Sequence, residues 1–338
     1  MSIRRGIVVT LKLALAIGLL AWLLWSGRLD FRVLSTAQAN WHWLAAAFIL
    51  SGVIQWMTAV RWRWLLLVVG QGCTRSRAFL ITLAGLLFNQ VLIGSTGGDI
   101  YRVMAFDVDN ARQRIAIAVS VGMDRLVGLF ALVVLIPVAA LWNFSLVSQS
   151  ELLTVITVGG AGATIGLPAI SWAIYRRGSV ELASNPPAGN QSRVVRWIRY
   201  LRDGLALFSG HWPIVVSAMV LSLLVQVLIV TVNVFLVFSI LGTGIQWSAM
   251  FLLIPVALLA MAIPINPPGA IGTGEAVYSV LLELAGIAQG SIISLLQRLI
   301  NVVWALPGSL AIFVRPNSRS LSIGNNSEEL TGQENPND

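Results

Sequence analysis

Long apolar runs, separated by short polar stretches that carry arginine, make up most of the chain. The first extends from about Gly6 to Trp25 behind Arg4 and Arg5. At ~20 residues it is long enough to cross a bilayer as a helix. It exceeds the apolar core of a secretory signal, and Arg28-Leu29-Asp30 stands where small residues would mark a cleavage site. It is therefore expected to be a retained span with its N-terminus in the cytoplasm. Trp41 and Trp43 open a second run to about Val60, as an interfacial aromatic belt does, and Arg61-Trp62-Arg63-Trp64 closes it. Further runs cover Phe79 to Ile93, Ile115 to Trp142, Leu152 to Tyr175, Pro213 to Leu241, Ser248 to Ile263 and Ser291 to Val314, with a short helix expected over Ala276 to Ala285.

Arg193 to Phe208 has a different pattern. Val194, Trp197, Ile198, Leu201, Leu205 and Phe208 share one helical face, while Arg196, Arg199 and Arg202 take others. This predicts an amphipathic cytoplasmic helix, lying on an anionic membrane surface or capping the spans.

Two apolar runs end in sequence that cannot continue as a helix. Pro264-Ile265-Asn266-Pro267-Pro268-Gly269-Ala270-Ile271-Gly272-Thr273-Gly274-Glu275 follows one of them, and Asn89-Gln90-Val91-Leu92-Ile93-Gly94-Ser95-Thr96-Gly97-Gly98-Asp99 ends the other. Proline removes a backbone donor and glycine admits angles that other residues refuse. At membrane depth such backbone is tolerated only against protein or a wet cavity, and it is a pointer to a binding site in transporter-like folds. Aligning Asp99 with Glu275 also aligns Gly98 with Gly274. The two stretches read as corresponding elements of an internal repeat, the alternative being two unrelated loops.

Arginine sets the orientation. Arg4-Arg5, Arg61 to Arg77, Arg112-Arg114, Arg176 to Arg202 and Arg315-Arg319 should be cytoplasmic, whereas the loops near Asn143, Gly242 and Gln289 carry none. Both ends of the first broken segment then lie inside, and both ends of the second lie outside. The predicted fold class is an all-α integral membrane protein of about six full transmembrane helices plus two re-entrant or broken helical hairpins, with an inverted internal repeat. Eight transmembrane helices are the alternative on hydropathy alone. Residues 1–315 form the polytopic membrane domain, and 316–338 a polar tail too poor in apolar residues to fold. The expected location is the inner, cytoplasmic membrane, with both termini in the cytoplasm.

Composition sharpens this picture. Of 338 residues 57% are apolar and 11% charged, against about a quarter charged in soluble domains. The net charge of +8 falls beside apolar spans and no nucleic-acid motif is present, so anionic lipid accounts for it and nucleic acid is not an expected partner. Cys73 is the only cysteine, and His42 and His211 sit at span edges. That leaves no disulfide, no metal-ligand set, no nucleophile–His–acid constellation and no cofactor motif. Lys12, the single lysine, lies within the first run, so there is no P-loop.

Candidate chemistry lies in the ionisable residues within or beside apolar sequence: Asp99, Arg102, Asp124, Arg125, Glu275, Glu283 and Arg298. Each costs roughly 2.5–3.5 kcal/mol at a helix centre on insertion scales, so a paired internal network is expected. It serves either to bind substrate or to hold helices together. Gly94 to Gly98 could cradle a phosphate through backbone donors, with Arg102 beside it. Asp99 and Glu275 are expected to line one polar cavity that admits a lipid headgroup.

These motifs together resemble the lysylphosphatidylglycerol synthase transmembrane-region family, a flippase-like family of integral membrane proteins. The resemblance rests on Arg61-Trp62 with Leu65-Leu66, Asn89 through Gly98-Asp99 with Arg102, Asp124-Arg125-Leu126-Val127-Gly128-Leu129, and Pro267 through Gly272 with Glu275. In larger two-part relatives it implies a domain that moves an aminoacylated phospholipid across the bilayer while a separate soluble domain makes that lipid. No synthase domain is expected within these 338 residues, and Ile93-Gly94 stands where relatives often carry a proline. The expected function is a lipid translocase acting on a phospholipid or lipid-linked headgroup. The alternative is an enzyme or accessory subunit of a membrane glycosyltransferase using a polyprenyl-phosphate-linked sugar. The expected partners are an anionic or lipid-linked membrane lipid and a separate synthase or glycosyltransferase. The substrate-binding candidates are Asn89, Gly97, Gly98, Asp99, Arg102, Asp124, Arg125, Pro267, Gly269, Gly272, Glu275 and Arg298.

Overall fold

The computed structural model describes residues 40–91, 96–106, 108, 110–177, 208, 210–243, 247–262, 270 and 272–311. The first apolar run, most of the amphipathic 193–208 stretch, Pro267, Gly269 and the polar tail lie outside them. Eleven α-helices follow in order: α1 (Trp41–Val68), α2 (Arg75–Val91), α3 (Gly97–Met104), α4 (Ala111–Trp142), α5 (Phe144–Ser148), α6 (Glu151–Arg177), α7 (Trp212–Leu241), α8 (Met250–Met261), α9 (Thr273–Glu283), α10 (Gly290–Ala305) and α11 (Gly308–Ala311). Among the described residues four helical stretches, Trp41–Val68, Gln113–Trp142, Glu151–Ala169 and Trp212–Leu241, are long and apolar enough to cross a membrane. The protein is an all-α, multi-pass membrane protein.

Helix ends depart from the hydropathy reading in three places. α1 does not stop at Val60 but continues to Val68, so Arg61 and Trp62 are buried inside it rather than set in a loop. The apolar run from Ser248 contributes only the 12 residues of α8, ~18 Å at 1.5 Å per residue and too short to span. The last run is broken after Ala305, where Pro307 disfavours helix at the residue before it.

α1 and α7 form an antiparallel pair at the centre. Trp43, early in α1, packs on Phe235 and Phe238, late in α7, with ring centroids 5.1 and 5.2 Å apart. At the other end Arg61 reaches Ser222, early in α7. α4, α8, α9 and α10 complete the main core around Leu236, Leu252, Leu253, Tyr278 and Ile293. α6 stands at the edge against α4 and keeps Val155, Val158 and Ile165 exposed. An apolar helix exposed in this way is suited to facing lipid. Phe208, the one described residue of the amphipathic stretch, is buried with Leu65, Val127 and Ala218.

α2 and α3 form a helical hairpin whose two open ends meet. Arg77, in the first turn of α2, donates from Nη2 to the Ala105 carbonyl at 3.3 Å, and its guanidinium lies 5.2 Å from the Phe106 ring centroid. The chain therefore enters and leaves this segment at one end, as the arginine distribution requires. The second broken segment has two short arms, α8 and α9, which pack on each other.

α11 closes the two halves together. A Cβ on Gly308 would overlap the Ala84 amide nitrogen and the Leu83 carbonyl carbon of α2. Backbone atoms inside a helix cannot step aside, so Gly308→Ala is expected to cost about 1–3 kcal/mol. Thermal unfolding in detergent reads this as a lower midpoint, and an unchanged midpoint would contradict so close a contact.

Candidate functional site

Both glycine–acid motifs build the same local structure. Thr96 precedes the first turn of α3, which places Gly97, Gly98 and Asp99 at its first three positions. Gly272 caps α9, which places Thr273, Gly274 and Glu275 at the same three positions. A carboxylate at the third position faces the positive end of the helix dipole. Crowding requires the glycine before Asp99 and leaves little room at the one before Glu275. A Cβ on Gly98 would meet the Gly85 carbonyl oxygen at 2.5 Å, and one on Gly274 would meet Ser294 Oγ at 3.1 Å.

The first break is held by Asn89, whose Oδ1 accepts the Gly98 N–H at 2.7 Å. The second is held by Glu275, whose Oε2 accepts the Gly272 N–H at 2.7 Å, the return half of a capping box. Gly272 has φ +83° and Ala270 φ 51°. The left-handed conformation costs a non-glycine residue roughly 1–2 kcal/mol. The Ala270 carbonyl is held there by Arg298 Nη2 at 3.1 Å and Thr273 Oγ1 at 3.2 Å.

Each acid pairs with an arginine from the helix that follows. Asp99 Oδ2 lies 2.8 Å from Arg125 Nε on α4. Glu275 takes Arg298 of α10 in a two-pronged contact, 2.7 Å from Nη1 to Oε1 and 3.0 Å from Nη2 to Oε2. This is the geometry in which guanidinium–carboxylate pairs are strongest. Sequence alignment of the two motifs thus corresponds to a structural equivalence that includes the partner arginine.

A third cluster lies deeper. Asp124, buried in α4, is shared by two arginines. Arg61 Nε of α1 contacts Oδ1 at 2.7 Å, and Arg102 Nη1 of α3 contacts Oδ2 at 3.0 Å. Arg61 Nη1 also donates to Ser222 Oγ at 2.8 Å, and the Arg102 guanidinium lies 5.1 Å from the Trp62 ring centroid. Gly128, one turn along α4 from Asp124, lies beside the guanidinium, and a Cβ there would be in ordinary contact with Nη1 at 3.5 Å. Four helices are tied at this point.

Arg61 and Trp62 belong to the family motif but not to the substrate-binding candidates, and Ser222 belongs to neither. Arg61 looked like a loop arginine, and the available signal was the apolar stretch Leu65 to Val69 beyond it, another helical turn that a loop would not contain. Glu283 is exposed at the end of α9 and joins none of these pairs. Among the described residues no ion pair links the α3–α4 clusters to the Glu275–Arg298 pair. No group of three or more His, Cys, Asp and Glu there could hold a metal ion.

A family model described as lysylphosphatidylglycerol synthase TM region matches residues 9–308. Comparison with curated proteins and with solved structures gave no match.

Proposed function

The chain belongs to the lysylphosphatidylglycerol synthase TM-region family, and from that membership we propose that it is a lipid translocase, moving a phospholipid or lipid-linked headgroup across the cytoplasmic membrane. The observation that carries this reading is the repeated unit of broken hairpin, third-position acid and following-helix arginine. Interrupted helices with ionisable groups at membrane depth mark substrate paths in transporters. The headgroup would pass along a polar path lined by Asp99, Arg102, Asp124 and Arg125 and by Glu275 and Arg298, while the acyl chains stay in lipid. Asn89, Gly97, Gly98 and Gly272 shape the two breaks.

The test is a headgroup-accessibility assay. Purified protein is reconstituted in vesicles whose inner leaflet carries a fluorescent phospholipid, and an impermeant quencher is added outside. Faster quenching than in protein-free vesicles supports translocation. Rates equal to those of empty vesicles for every lipid tried would reject it in favour of an accessory role beside a glycosyltransferase.

The two-sided arrangement has its own test. Single cysteines near Arg77 and Arg112 should label from the cytoplasmic side, and those near Gly242 and Gln289 from the other. Opposite sidedness within either pair would break the arrangement. Cys73, in the turn between α1 and α2, should leave a quiet background. Burial pushes its thiol up, against the pull of Arg77 and Arg63, so little thiolate is present at neutral pH. Maleimide should modify it at neutral pH only after denaturation.

A further inference from the structure

We infer that the Arg61–Asp124–Arg102 cluster is the seat of a phosphate group carried by a net-anionic lipid, and that it discriminates against cationic headgroups such as an aminoacylated one. This deepens the translocase reading and rests on it for the lipid, though not for the phosphate.

The charge balance is the first ground. Two guanidiniums share one carboxylate, and only 8% of the Arg61, 11% of the Arg102 and 4% of the Asp124 side chain is exposed. A buried positive charge without a counterion is costly, and among the described residues the cluster holds one in excess. Adding the neighbouring Asp99–Arg125 pair leaves the sum over the described residues unchanged, since it brings one charge of each sign.

The donor count is the second, independent ground. A guanidinium has five N–H donors. Arg61 spends two of its five, on Asp124 and Ser222, and Arg102 spends one, on Asp124. The indole N–H of Trp62, whose ring lies against Arg102, is buried without an acceptor. The site is rich in donors and poor in acceptors. A singly charged phosphodiester brings several acceptor oxygens and the one missing negative charge, and guanidinium forks match its geometry. A headgroup with its own ammonium would restore the excess.

Position supplies a way in. Asp99 and Arg102 are one helical turn apart on α3, and Arg125 adjoins Asp124 on α4. The Asp99–Arg125 pair is the more open of the two, with 25% and 39% of its side chains exposed. The cluster's neighbour on both α3 and α4 is thus a pair that water reaches, and an approach of the phosphate from that side is part of the proposal.

The experiment measures thermal unfolding of the full chain in detergent with four probes: dihexanoyl-phosphatidylglycerol, dihexanoyl-phosphatidylcholine, a short-chain lysyl-phosphatidylglycerol and inorganic phosphate. Ligands that bind only the folded form raise the midpoint with concentration. The anionic lipid is expected to raise it most, the zwitterionic lipid less and the lysylated lipid least. Arg102→Gln keeps the neutral Arg61–Asp124 pair, so it should fold and bind the anionic lipid about tenfold or more weakly. Asp124→Asn should start from a lower midpoint and gain more from the anionic lipid than the unmodified chain does. Equal shifts from all three lipids, or an unchanged response in Arg102→Gln, would overturn the inference. A shift from inorganic phosphate without one from phosphatidylglycerol would keep the phosphate site and remove the lipid. Binding of the anionic lipid with no translocation in vesicles would keep this inference and reject the translocase.

Discussion

Glu275→Gln is expected to stop translocation and to destabilise the protein by about 3 kcal/mol. The stability loss follows from the pair it breaks. Arg298 keeps only 7% of its side chain exposed, and removing one partner of a buried ion pair leaves the other charge stranded, at roughly 3–5 kcal/mol. The lower figure applies because 20% of the Glu275 side chain is exposed. The amide can still accept the Gly272 N–H, so the cap persists while the two-pronged contact is lost. Arg298 also holds the left-handed Ala270 through its carbonyl, so a loosened Arg298 should disturb the backbone of the break itself. The double variant Glu275→Gln with Arg298→Gln separates structure from function. It removes both charges, so most of the lost stability should return, whereas translocation should not. If translocation returns along with stability, the pair is only a brace and the second break is not part of the path.

Asp124→Leu is expected to have the largest effect on folding. It strands two guanidiniums at once, in a position joined to α1, α3, α4 and α7 through Arg61, Arg102 and Ser222. A cost of about 3–5 kcal/mol is a large part of the total stability of a typical protein, so the variant should accumulate poorly in membranes. Arg61→Leu should cost less, because Asp124 keeps Arg102 as a partner and the excess charge disappears. The ordering is measured by unfolding midpoints, with membrane accumulation as the second readout. If Arg61→Leu proves the more damaging of the two, the cluster is held by the Arg61 contacts and not by the shared carboxylate.

Hydropathy and arginine placement were enough to read much of this protein from its sequence. Membrane residence follows from apolar runs of bilayer length, because an unpaired backbone in hydrocarbon must close its own hydrogen bonds as helix. The expectation that the segment between Arg77 and Arg112 enters and leaves on one side came from arginine on both flanks, and the contact of Arg77 with Ala105 is consistent with it. The Gly–acid correspondence was legible because glycine precedes each acid: Gly98 meets the Gly85 backbone too closely for a side chain, and Gly274 lies tight against Ser294. The family, too, was visible in the motifs.

Which charge meets which was decided by the tertiary structure alone. Asp124 and Arg125 are adjacent in sequence, yet they point from α4 to different partners: Asp124 to Arg61 and Arg102, Arg125 to Asp99. Adjacent residues on a helix are turned about 100° from each other and do not face one another, so neighbours in sequence could not reveal the pairing. Arg61 was hidden for a related reason. Local sequence sets an arginine at the end of an apolar run equally well in a loop or in a helix. Only the arrival of Asp124 and Ser222 from other helices makes a buried position tolerable for its charge. Sequence fixes the local conformations and the cost of placing a charge in lipid, whereas the long-range packing of α1, α3, α4 and α7 supplies the partners that offset that cost.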